Sequence, residues 1–104
     1  MSGNGLAVAG RVTREMVLLA ILEVPGVARV GRGGGRWRTW LSGRPIRIAL
    51  DGRRVTVRAW IVARPGQPLG PLAREVRAAI GGTVERLLGL EVGDVTVVVD
   101  GIGA

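Results

Sequence analysis

"IRIALDGRRVTVRAWIVA", residues 46–63, is the stretch whose reading decides the fold. Two runs rich in β-branched residues flank Asp51-Gly52, a favoured pair for a tight hairpin turn. Successive strand side chains point to opposite faces. Ile46, Ile48 and Leu50 therefore share a face, as do Val55, Val57, Ala59, Ile61 and Ala63. The opposite face carries Arg47, then Thr56, Arg58, Trp60, Val62 and Arg64. One side is apolar, and the other is an arginine side with one tryptophan. This is the pattern of a sheet packed on one face and open on the other.

Toward the N-terminus, "GRGGGRWRTW" (31–40) lies within a Gly/Arg-rich loop at about 31–44. Before it, Val27, Arg29 and Gly31 alternate with Ala28 and Val30, a weak strand pattern. Pro25 biases Val24 out of helical geometry, and Gly26 is expected to take the positive φ of a tight exit. Met16–Leu22 reads as the apolar body of a helix, with Thr13 as its N-cap and Glu15 suiting the dipole in the first turn. "LAVAGRV" (6–12) reads as a short strand.

Toward the C-terminus, "RPGQPLGP" is a connector, and Pro71 suits a first helical turn. A second helix to about Leu88 follows. Leu72, Val76, Ile80, Thr83, Val84, Leu87 and Leu88 form its apolar stripe. Gly81-Gly82 costs about 1 kcal/mol per glycine relative to Ala, and close packing is the preferred reason for it. Gly89 ends the helix. "DVTVVVDGI" is a last strand with Val95, Val97 and Val99 on one face. The expected fold is a single α+β domain over 1–104, a two-layer sandwich. Two helices pack on one face of a mixed or antiparallel sheet, in the order (β)αβββαβ.

Composition excludes several chemistries. The 104 residues contain no His, Lys or Cys. The commonest general base, the Schiff-base and phosphate-loop lysine, and the thiolate nucleophile or zinc ligand are therefore missing. Two Ser and five Thr have no His or Lys to activate them. Asp94 and Asp100, six residues apart on one strand, span about 20 Å, too far for paired acid–base work. They read as strand-end residues, with Asp100-Gly101 forming a turn. No catalytic residue, cofactor, metal or small-molecule substrate is expected.

Charge is clustered. Residues 29–64 hold ten arginines against one acid, Asp51, whereas the whole chain has a net charge of +7. Arg36, Trp37, Arg38, Trp40, Arg47, Arg58, Trp60 and Arg64 are the partner- or anion-binding candidates. Arg neutralises phosphate, and Trp stacks on bases or anchors interfaces. A protein partner, an anionic membrane surface and nucleic acid stay open beside the bland reading, in which Trp37 and Trp40 fold back onto the sheet among solvated arginines. The first helix is apolar nearly all round, so Leu18, Leu19 and Leu22 are the self-association candidates.

Certain residues carry a resemblance. They are Gly10 and Val12 before the helix, Glu23-Val24-Pro25-Gly26-Val27 at its exit, and Gly66 after the long strand. The pattern continues through Val76, Val84, Leu88-Gly89-Leu90, Val92, Val95, Val97, Val99 and Gly101-Ile102. In order and spacing they resemble the alkaline shock protein family, the Gls-type general stress or envelope stress response proteins. The likeness covers most of the chain outside 31–44. It implies a non-enzymatic, cytoplasmic bacterial protein that self-associates. Such a protein acts in cell envelope homeostasis and docks to a membrane-anchored partner, with peripheral association at the inner face of the membrane. The basic middle and the more apolar first helix depart from the family pattern. An RNA- or DNA-binding module using the Arg/Trp face is the alternative.

Overall fold

The structure is a computed structural model that describes residues 2–31 and 45–103, with side chains from Gly10 onward. Helix α1 spans Ser2–Leu22, β1 Val27–Val30, β2 Ile46–Asp51 and β3 Arg54–Ala63. Helix α2 spans Leu69–Gly82 and runs on into a π turn at Thr83–Leu87, and β4 spans Glu91–Ile102. The observed order is αβββαβ, with both helices on one face of a mixed sheet.

β3 is the centre of the sheet. β4 lies parallel to it on one edge, joined through α2. On the other edge β1 and β2 lie end to end, both antiparallel to β3. β1 pairs with residues 61–63 and β2 with residues 54–59. Together they line one edge of β3 along its length. The main chain of Trp60 marks the boundary between them: Gly31 N–H donates to its carbonyl at 2.9 Å, and its own N–H donates to the Pro45 carbonyl at 2.8 Å.

The core follows the alternation read from residues 46–63. Val55, Val57, Ala59, Ile61 and Ala63 are buried against Val17, Ile21 and Val24 of α1 and Leu72, Val76, Ile80 and Val84 of α2. A bulge at Ala28 interrupts the simple alternation of β1. It lets Val27 and Val30 both face the core while Arg29 sits beside Val62 on the open side.

Several expectations are corrected. Residues 6–12 are helical, not a strand, because a short apolar run does not distinguish the two by periodicity. Thr13 is therefore no cap. It is buried in mid-helix, at the start of the Thr13–Val17–Ile21–Val24 stripe that faces the sheet. The hairpin turn sits one residue later than expected: Asp51 and Arg54 pair, and Gly52 and Arg53 are the central residues. Gly52 has φ +62° and Arg53 a negative φ, the type II′ pattern.

Gly26 is not at positive φ. Its hydrogen is needed because a Cβ there would lie 2.7 Å from Leu72 Cδ1 and 2.6 Å from Gln67 Oε1. Gly81 has open space around it, so close packing does not explain it. Asp94 and Asp100 are not strand ends. They lie within β4, at the two places where its register against β3 shifts. Leu87 leaves the expected stripe and is 66% exposed. In the π turn the Leu88 N–H reaches back five residues to the Thr83 carbonyl at 3.2 Å, which rotates the last residues off the core line.

Candidate functional site

Two surfaces hold the candidate residues. The first is the sheet face opposite the helices, where strand register sorts side chains into transverse rows. One row is Asp51–Arg54–Glu91, in which an arginine sits between two carboxylates. Another is Arg47–Arg58–Thr96, and the next pairs Trp60 with Val98. Arg47 and Arg58 are thus direct cross-strand neighbours, an arrangement that costs stability for like charges. Both guanidinium groups lie within cation–π reach of the Trp60 ring, 5.3 Å and 5.9 Å from its centroid.

The expected apolar anchor is not available here. Trp60 is only 7% exposed and Val62 3%, although both lie on the open face. Arg47 and Arg58 spread over the ring, and their aliphatic stems suit covering an apolar surface. Arg64 also leaves the expected trio. Its Nε donates to the Pro25 carbonyl at 2.9 Å, which ties the end of β3 to the turn after α1. Arg36, Trp37, Arg38 and Trp40 lie outside the described residues. The Arg53 guanidinium donates to the Gly89 carbonyl and locks the hairpin to the end of α2.

The second surface lies between the helices on their outer side. A groove there is lined by Ala20 and Glu23 at the end of α1, by Ala79 and Gly82 of α2, and by Thr83, Arg86 and Leu87 of the π turn that follows it. Beside it α1 exposes Leu19 (56%) and Leu22 (48%), with Val12 also exposed one helical repeat earlier. Leu18, the third self-association candidate, instead packs against the core. Its position on the helix turns it from the exposed line toward the sheet.

Sequence reading missed Thr96, Glu23, Arg86 and Leu87. Thr96 joins Arg58 only through the β3–β4 register, and a crossover connection carries no sequence trace of that register. Leu87 fitted an ordinary helical stripe and is exposed only because the last turn widens. Glu23 could have been found, as a charge placed just after Leu22 at the end of an apolar run.

No protein-family model matches the chain, and no curated protein does. Solved structures share the fold. The nickel form of a MamM CTD variant superposes with a TM-score of 0.62 and 18% identity, covering 90% of this chain and 96% of that one. A doubly substituted MamM CTD gives 0.60 and 18%, covering 89% and 83%. The zinc form of a MamM CTD variant gives 0.59 and 16%, covering 90% and 87%. At this identity the likeness is one of fold.

Proposed function

We propose that this chain is a non-enzymatic, self-associating scaffold of the envelope and alkaline stress type that its sequence resembles, docking to a membrane-anchored partner. The carrying observation is the exposed apolar line Val12, Leu19 and Leu22 on α1, beside a groove that ends in exposed Leu87. A second copy is the occupant that fits. Glu23 lines one wall of the groove and Arg86 the other. A two-fold pairing of this surface with itself brings each carboxylate to the partner's guanidinium around an apolar centre.

The absence of His, Lys and Cys supports a non-catalytic role, as does the placement of Asp94 and Asp100 at two separate bulges. Among the described residues no helix is long and apolar enough to cross a membrane. The nickel and zinc of the MamM domains are not carried over. This chain has no His or Cys, and its described residues hold no cluster of three or more metal-ligating side chains. Nucleic-acid binding is less well supported, because the ring of Trp60 is covered and offers no stacking surface.

Sedimentation velocity of the wild type and of a Leu19→Glu/Leu22→Glu double variant tests the reading. The wild type is expected to sediment as more than a monomer. The variant is expected to be a folded monomer, since neither side chain is in the core. A wild type that stays monomeric at high concentration would sink the proposal.

A further inference from the structure

The Arg47–Arg58–Thr96 row remains unexplained by self-association, because it lies on the opposite side of the sheet from the helical groove. We propose that this row is a binding site for a single phosphate-type oxyanion, with Arg47 and Arg58 as its two guanidinium donors and Thr96 as a hydroxyl donor. The inference stands on the sheet face alone and does not depend on the scaffold reading.

Three observations carry it. The first is the direct opposition of two arginines across β2 and β3. Like charges placed so close repel, and an oxyanion between them turns repulsion into attraction. The second is preorganisation. Both guanidinium groups rest on one buried ring, so their positions are restricted before any ligand arrives. Arginine's planar fork matches two phosphate oxygens at once, which a lysine ammonium cannot do. The third is composition along the row. Thr96 stands beside Arg58 on β4, all three side chains are exposed, and no carboxylate shares the row.

The surroundings set the size of the ligand. Toward the hairpin, the Asp51–Arg54–Glu91 row places two acids on the same face. On β4, Asp94 and Asp100 occupy the two bulges that flank Thr96. A polyanion tracking the face in either direction would meet carboxylates, whereas one phosphate group confined to the row would not. The chemistry therefore favours a discrete phosphate, free or carried on a small molecule or lipid headgroup, over a nucleic-acid backbone. The covered Trp60 is the floor of the site and not a contact for a base.

The test is an NMR titration of the full chain with inorganic phosphate against chloride at matched ionic strength. It reads the Arg47 and Arg58 Nε–H signals and the Trp60 indole N–H. Saturable shifts of both arginines with phosphate alone are expected. Arg58→Gln or Arg47→Gln should weaken binding at least tenfold. Arg58→Lys should weaken it severalfold, because it keeps the charge and loses the fork. Arg54→Gln, in the row bounded by acids, should change it less than twofold. Thermal unfolding of each variant shows that the domain is intact, and Arg58→Lys keeps the test decisive if a neutral variant loosens the ring.

Sedimentation with phosphatidic acid vesicles against phosphatidylcholine vesicles then identifies the source. Pelleting with the former that Arg58→Gln abolishes supports the site with a headgroup phosphate. Phosphate binding without pelleting supports it with a free or small phosphate. Shifts that do not saturate or that chloride reproduces overturn the proposal. So does an equal loss in Arg54→Gln. Binding to single-stranded oligonucleotides that strengthens steadily with length and is indifferent to Arg58→Gln also overturns it, because a diffuse field and not a site would then be acting.

Discussion

Arg64 Nε donates to the carbonyl of Pro25 at 2.9 Å, closing a contact across 39 residues of chain. The main chain repeats the link beside it, where the Arg64 N–H donates to the Gly26 carbonyl at 2.9 Å. Together they fasten the end of the central strand to the turn that leaves α1. An arginine read from sequence as a docking residue is thus also a clasp within the fold. Arg64→Ala is expected to lower stability by about 0.5–1.5 kcal/mol, the usual net value of one such bond. For a domain of this size that is a fall in Tm on the order of 5 °C, measurable by calorimetry. Its effect on phosphate binding is expected to be nil.

Two glycines should respond in opposite directions. Gly26→Ala puts a methyl group against Leu72, which is buried, and against Gln67. Overpacking of this kind costs roughly 1–3 kcal/mol. Gly81 is helical, has ordinary helical φ, and a Cβ added there would meet nothing within 4 Å. Gly81→Ala is expected to stabilise by about 0.5–1 kcal/mol. Urea unfolding of both variants checks the pair, and equal signs would contradict the packing described.

Trp60 offers a test of burial against exposure. A solvent-facing anchor can be truncated with little loss of stability, but a covered ring cannot. Trp60→Ala is expected to cost about 3–5 kcal/mol in denaturant unfolding. It should also release Arg47 and Arg58 from their shared floor and so weaken phosphate binding.

The groove between the helices predicts a charge exchange. Glu23→Arg is expected to weaken self-association by placing like charges against Arg86 of the second copy. The double variant Glu23→Arg/Arg86→Glu should restore much of it. Leu87→Gln should weaken association with almost no change in unfolding midpoint, because the side chain is already in solvent. Sedimentation equilibrium across a concentration series measures all three.

Much of this molecule was determined by the sequence itself. The period-2 alternation of residues 46–63 assigned the inward positions of both hairpin strands, because a buried face tolerates no register slip. Helix α2, with Pro71 in its first turn, and the stop at Gly89 (φ +65°) after the π turn that extends it followed from local backbone chemistry. The α+β class and the clustering of positive charge on one segment were equally local. What only the tertiary structure decided depends on contacts distant in the chain. β1 and β2 came to line one edge of the sheet because both pair with β3 around Trp60. Thr96 reached Arg58 through a parallel register set by the α2 crossover. Trp60 became a buried floor with arginines from two strands within cation–π reach of its ring, and Arg64 was drawn to Pro25. Local patterning fixes which face a side chain occupies, and only the assembled sheet fixes what it finds beside it.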